Sequence, residues 1–385
     1  MPENKQRNFA MDLLRVAACF LVIHQHCAEQ FYAATGNIEV GDDTFFVGIN
    51  SSLGRISVPL FVMVSGYFLL PVKMGLREFL KRRMSRILIP FVVWYLVYCI
   101  FFIFYSGDTP LDATANFFGM LITFNSRWGG HLWYIYMLVG LYLLAPIISP
   151  WIERASKRQL QFYLLIWLLT TLLPYLNYFV NPEIWGACFW NVSPTFYYFT
   201  GFAGYFLLGY YVRRFGAIGW GRSLLLIAVG YTATAYFFIR GMYHCTKFAD
   251  MEMSFNFCSL NVVMMTYAVF CLFTKIRWQG SLDRKGLVGS VGRLISDFAQ
   301  RSYGIYLFHI MVLLLLHDWL VGMWPNVFQT VVGDGYTYHR LGDGWSAVPA
   351  VLLAVPVHAL ITTIAVYIIA RLLGMLPKSH RLLGV

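Results

Sequence analysis

The chain has 385 residues, 59% of them hydrophobic and only 12% charged, with a mean hydropathy of +0.61. That balance excludes a soluble globular domain and marks a polytopic membrane protein. The net charge of +11 invites a nucleic-acid partner, but the basic residues sit where membrane topology puts them, so none is expected.

Apolar runs of spanning length predict ten transmembrane helices, at 9–31, 53–72, 87–106, 132–150, 159–179, 196–212, 223–239, 254–273, 303–321 and 347–371. With a cytoplasmic N-terminus, every lysine and arginine except Arg55, Arg127, Arg240, Lys247 and Arg340 falls on the cytoplasmic side. This bias is the usable orientation rule, and it places both termini in the cytoplasm. The expected fold is all-α: one integral-membrane domain over 1–385 with about ten transmembrane helices and no soluble appended domain. The first run begins behind Lys5 and Arg7 but is too long, and lacks a small-residue cleavage site, for a cleaved signal peptide.

The first span carries Arg15 and His26, eleven residues apart. On a helix they stand roughly 16 Å apart along the axis, about half the hydrocarbon thickness. Ionisable groups in a bilayer are costly unless they are paired or face a wet cavity, so the pair reads as a functional site. His26 shares its helix face with Asp12, Arg15, Cys19, Val22 and Glu29, whereas His24 lies about 200° around. Glu29, one turn beyond His26, is placed to orient the imidazole.

In the second span the Ser65-Gly66 pair either allows close helix contact or leaves room for a substrate chain. At the entrance of the third, Arg83 and Arg86 share a face, and their planar forks suit the phosphates of CoA. Lys81 and Arg82 beside them read as positive-inside anchors. The following loop holds an amphipathic stretch, Ala113–Phe124, expected to lie in the interface or to re-enter. Arg55 and Arg127, outside by the topology, read either as contacts for an anionic acceptor or as snorkelling anchors. His131 and Trp133 open the fourth span as a second acid/base or an acceptor contact. Cys188 and Cys245 fall in outside loops and can pair in an oxidising compartment. The five cysteines within spans read as apolar filler, without metal-ligand spacing. His309 reads either as a site residue or as a core histidine bonded to a neighbouring helix. His317 and His358 read as polar contacts between helices. The Gly- and aromatic-rich stretch 333–345 suits a sugar-stacking rim or an interfacial belt. Gly-x-Ser-x-Gly and His-Glu-x-x-His are both missing from the sequence, so those hydrolase motifs are excluded.

Five of these segments carry a resemblance. Asp12-Leu-Leu-Arg15 with His26 resembles the first-helix signature of the acyltransferase-3 family of bacterial membrane acyltransferases. Phe61-Val-Met-Val-Ser-Gly-Tyr-Phe68 is similar to its second-helix segment, and Arg83-Met-Ser-Arg86 to its Arg-x-x-Arg motif. His131-Leu-Trp-Tyr-Ile-Tyr-Met-Leu-Val-Gly-Leu-Tyr142 and Ser302-Tyr-Gly-Ile-Tyr-Leu-Phe-His309 resemble its middle and late signatures. Each motif alone is weak, but five in the family order, from 12 to 309, are specific. The fourth resembles the subgroup that contains the enterobacterial common antigen O-acetyltransferase.

The resemblance implies a multi-pass protein of the bacterial inner membrane. It would transfer an acyl group, usually acetyl from cytoplasmic acetyl-CoA, to a hydroxyl of a cell-surface or lipid-linked glycan. On that basis His26, Glu29, Arg15 and Asp12 form the catalytic group, and Arg83, Arg86 and Ser65 hold the donor. His131, Trp133, His309 and Arg127 would contact the acceptor or supply a second acid or base. The expected partners are acyl-CoA as co-substrate, the glycan acceptor and membrane lipid, with no bound cofactor and no metal. The residues suit this chemistry in their own right. A thioester is already activated, so the enzyme must deprotonate an alcohol and stabilise an oxyanion, and a histidine can be that base or carry the acyl group. A transporter or flippase for lipid-linked glycans is the alternative, using the same intramembrane charges. No internal repeat is visible, and the Arg-x-x-Arg pair has no evident part in it. A non-catalytic membrane sensor or anchor is the third class.

Overall fold

The computed structural model describes residues 8–32, 44–123, 129–184, 186, 197–245, 247–276, 286–328, 331–333, 336–338, 351–377 and 380–384. Helix α1 (Phe9–Glu29) starts where the Asn8 side chain accepts a hydrogen bond from the Met11 amide at 3.2 Å. It packs against helices from both halves of the chain, so its ionisable residues are held inside protein.

The segment expected as a loop up to Ser52 is instead helix α2 (Thr44–Gly54), followed after a turn at Arg55 and Ile56 by α3 (Ser57–Leu69). Gly48, Asn50, Ser51 and Ser52 disguise the apolar run. In the helix two of them are satisfied locally: Asn50 donates to Phe46 O at 3.1 Å and Ser52 to Gly48 O at 2.7 Å. The pair α2–α3 makes a 26-residue span with a break in its middle, and the break places Arg55.

Helix α4 (Leu76–Tyr105) carries Arg83 and Arg86 in its first turns. The amphipathic stretch forms α5 (Pro110–Thr123), packed on α4 through Ala113 and Met120 and held by Tyr95 Oη to Asn116 O (2.8 Å). A 3-10 turn, Gly130–Leu132, leads into α6 (Trp133–Arg154). Ser156 and Gln159 form a capping box that starts α7 (Lys157–Thr170), and α8 (Leu173–Phe179) follows.

Among the described residues nine helices are long and apolar enough to cross a membrane. The remaining expected segment, 196–212, forms α9 (Phe202–Phe215), fourteen residues long and so about 21 Å. It runs antiparallel to α7 over that helix's whole height. Trp167 Nε1 donates to Gly201 O at 2.9 Å at one end, and Lys157 lies 5.9 Å from the Phe215 ring at the other. Gly66 of α3 and Gly209 of α9 lie against the backbones of Phe206 and Met63, where a Cβ has no room.

The stretch expected as an outside loop at 240–253 folds back into the bundle. Helix α10 (Trp220–His244) runs into its first residues, and α11 (Phe248–Met251) and a 3-10 turn, Glu252–Phe255, bury Met251, Met253 and Phe255 before α12 (Leu260–Thr274). Helix α13 (Leu287–Met323) has 37 residues, far more than the expected 303–321. The chain continues through α14 (Pro325–Phe328), an antiparallel hairpin β1 (Val331–Gly333) and β2 (Tyr336–Tyr338), α15 (Val351–Leu373) and α16 (His380–Leu383). His317 and His358 stack across α13 and α15 with ring centroids 5.5 Å apart. At one end of the bundle the basic helix termini meet carbonyls of neighbouring segments: Arg213 donates to Tyr67 O and Leu70 O, Arg214 to Ile152 O, and Lys275 to Ile218 O.

Candidate active site

His26 is half-buried, and its Nδ1 lies 2.8 Å from Glu29 Oε2. A carboxylate only accepts, so Nδ1 carries the hydrogen and Nε2 of the neutral ring keeps its lone pair. This is the arrangement that makes an imidazole a base in hydrolytic triads. Two histidines from distant parts of the chain close around it. The His309 ring of α13 is 5.3 Å from that of His26, and the His131 ring of the 3-10 turn is 6.2 Å from it; those two are 5.2 Å apart. His309 Nδ1 donates to Tyr306 O at 2.7 Å, so its buried Nε2 is a second acceptor, without a hydrogen-bond partner among the described residues. Tyr98 Oη lies 3.3 Å from His131 Nε2, and Tyr306 Oη donates to His131 O. His24 is buried on the other side of α1, beside Phe20 with ring centroids 6.0 Å apart. Among the described residues, no His, Cys, Asp and Glu group has a metal-holding arrangement.

Around Glu29 the structure adds residues that the sequence reading placed elsewhere. Arg55 is not a snorkelling anchor: it is 7% exposed, and the helix break turns it inward. Its Nη2 donates to Tyr32 Oη at 2.9 Å and Glu252 Oε1 at 3.4 Å, and lies 3.9 Å from Glu29 Oε1. The guanidinium carbon stands 4.1 Å from the centre of the Phe255 ring. Gln25 Nε2 donates to Glu29 Oε1 at 3.2 Å and to Tyr32 Oη at 3.3 Å. One signal for Arg55 was available, since it is the only charged residue between Asp43 and Lys73. Glu252 carried none, because nothing in its neighbourhood shows that the segment folds inward.

Below the histidines, toward the basic end of the bundle, a cavity of about 310 Å³ is lined by Arg15, Ser65, Arg83, Arg86, Tyr142 and Tyr303. It rises to Val22, Tyr134 and Tyr306. Tyr306 is also 5.8 Å from the His131 ring and 5.9 Å from that of His309, so the roof of the cavity is the floor of the histidine cluster. Asp12 belongs to this lower level. It is buried, accepts from Arg15 Nη1 at 3.0 Å and from Ser296 Oγ at 3.2 Å, and so fixes the guanidinium against the cavity. Arg86 Nε donates to Gly384 O, a residue that also lines the cavity. Ser65 Oγ donates to Phe61 O at 2.9 Å. Lys81 and Arg82 are exposed, and Arg82 pairs with Glu78 at 2.7 Å.

The proposed site residues therefore fall into two levels. His26, Glu29, His131 and His309 meet at the upper one, and Asp12, Arg15, Ser65, Arg83 and Arg86 at the lower. Trp133 stands beside the upper level, its ring 5.6 Å from Phe202 and 5.5 Å from Phe257. Arg127, Cys188 and most of 333–345 lie outside the described residues. Cys245 Sγ is 3.5 Å from Tyr178 Oη.

No curated protein and no solved structure matches the chain. A family model, described as an acyltransferase domain, matches residues 8–373, from the residue that caps α1 to the last residue of α15. Nothing in the site favours the transporter alternative. The chain belongs to the acyltransferase-3 family and is a membrane acyltransferase.

Proposed function

We propose that the protein carries an acyl group, acetyl in the first instance, from cytoplasmic acyl-CoA to a hydroxyl of a cell-surface or lipid-linked glycan, in the bacterial inner membrane. One observation carries this reading: the arginine-lined cavity shares Tyr306 with the histidine cluster above it. Arg15, Arg83 and Arg86 suit the several phosphates of a CoA headgroup, and the narrow rise toward Tyr134 and Tyr306 suits its extended arm. The aromatic group of Trp133 and Phe257 beside the Glu29 level supports a carbohydrate acceptor, as does the resemblance to the common-antigen subgroup.

The chemistry balances without a further reactant. His26 Nε2 takes the proton of the acceptor hydroxyl as its oxygen attacks the thioester carbonyl. The C–S bond then breaks, and the proton passes to the leaving thiolate. Attack by Nε2 itself reaches the same products through an acyl-histidine. In either route Glu29 stabilises the positive imidazole.

The test is incubation of the purified protein with labelled acetyl-CoA, followed by measurement of free CoA and of label on the protein. Mass spectrometry of surface glycans with and without the gene then identifies the acceptor. Release of CoA or a labelled His26 supports the reading; absence of both acetyl-CoA binding and turnover overturns it. Arg83→Ala is expected to weaken acyl-CoA binding about ten- to a hundredfold, since a hydrogen bond to a charged group contributes roughly 1.5–3 kcal/mol. Lys81→Ala is expected to change it little. Titration calorimetry decides, and equal small effects at both positions would reduce Arg83 to a topological anchor.

A further inference from the structure

Arg55 stands between two carboxylates, and only one of them serves the histidine. Glu29 Oε2 holds His26 Nδ1 at 2.8 Å, while Glu29 Oε1 faces Arg55 Nη2 at 3.9 Å. The same Nη2 is closer to Glu252 Oε1, at 3.4 Å. A guanidinium closing fully on Glu29 would compete with His26 for a single negative charge. Three neighbours draw it the other way. Tyr32 Oη accepts from it at 2.9 Å and itself donates to Glu252 Oε1 at 3.1 Å. Phe255, three residues after Glu252, lies under the guanidinium at 4.1 Å and stacks on Phe238 with ring centroids 3.8 Å apart. The turn that carries Glu252 is thereby fixed to α10.

We propose that Glu252 is a positioning residue for His26: by holding Arg55 it leaves the charge of Glu29 to the imidazole, so that the strength of the Glu29–His26 pair is set from the Glu252–Phe255 turn. The consequence for catalysis rests on the reading of His26 as base or acyl carrier. The groups facing the Glu29–His26 pair are Gln25 from α1, Tyr32 just beyond its end, Arg55 from the α2–α3 turn, Glu252 from its own turn, and His131 and His309 on the far side of His26. Of these, Arg55 alone touches both carboxylates.

The experiment is carbethoxylation of the full-length protein in detergent with diethyl pyrocarbonate. The rate at His26 is read by peptide mass spectrometry against the exposed His244. The reaction reports the nucleophilicity of Nε2, which rises with the negative charge on the partner of Nδ1–H. Glu252→Gln lets Arg55 close on Glu29, and His26 is expected to react about threefold more slowly or less. Arg55→Gln is expected to speed it, and the double variant to follow Arg55→Gln, because Glu252 then has nothing to hold. Glu252→Asp is expected to restore most of the wild-type rate. In acyl transfer, Glu252→Gln is expected to lower kcat with the KM for acyl-CoA unchanged. Equal slowing in both single variants would mean mere loosening of the site, and no change in Glu252→Gln would mean no coupling; either overturns the proposal. Carbethoxylation needs neither acyl-CoA nor acceptor, so failure of the acetyl-CoA test with opposite-signed rates here would remove the proposed function and leave the positioning role standing.

Discussion

Replacement of His26 by alanine is expected to abolish acyl transfer while expression and membrane insertion stay near wild type; His24→Ala is expected to keep most of the activity. The contrast follows from two residues only two positions apart. His26 is half-buried, bonded to Glu29 and flanked by His131 and His309, and its loss removes both the proton acceptor and any acyl-histidine. A positioned base alone contributes about 10²–10⁴-fold. His24 is packed on the other side of α1 beside Phe20, so its removal trims a contact without touching the reacting atoms. The measurement is CoA release from equal amounts of monodisperse protein. An active His26→Ala with an inactive His24→Ala would mean that the wrong face of α1 was assigned to chemistry.

The second large effect concerns the fold. Gly66→Val is expected to leave little or no monodisperse protein, whereas Gly140→Ala is expected to melt at the wild-type temperature. A Cβ at Gly66 runs into the backbone of Phe206, and backbone cannot rotate away as a side chain does. Ordinary overpacking costs about 1–3 kcal/mol; here α3 and α9 must separate along their whole contact, including Gly209 against Met63. Gly140 has open space around it, and a surface change of this kind stays within about 0.5 kcal/mol. Thermal unfolding followed by size-exclusion recovery reads both, and a wild-type profile for Gly66→Val would refute the close approach of α3 and α9.

Periodicity along one helix was the legible part of this protein. The shared face of Asp12, Arg15, His26 and Glu29 follows from 3.6 residues per turn, and so does the separation of Arg83 and Arg86 from Lys81 and Arg82. What periodicity does not carry is which helices meet. Sequence alone leaves His131 and His309 open between site and ordinary helix contact; the fold puts their rings 5.2 Å apart. Hydropathy starts the second span at 53 and so leaves Arg55 at a membrane face, because polar side chains that bond back to their own helix, as at Asn50 and Ser52, resemble loop. The extension of α13 back to Leu287 is hidden for a related reason. A helix that leaves the apolar layer carries charged residues such as Arg293, Asp297 and Arg301, and apolar run length ends where such residues begin. Glu252 illustrates the deeper limit, because its partner Arg55 is 197 residues away.

Helix α13 bears on both levels of the site. Ser302, Tyr303 and Tyr306 line the lower cavity, and His309 touches His26. Seven residues separate Ser302 from His309, about 10 Å of rise on a single helix. On the proposed reading this helix works as a gauge. A thioester anchored by its phosphates at Arg83 and Arg86 has to present its carbonyl at a fixed height, so the length of the donor is measured together with its charge. A shortened thioester without the nucleotide satisfies the height or the anchorage, never both.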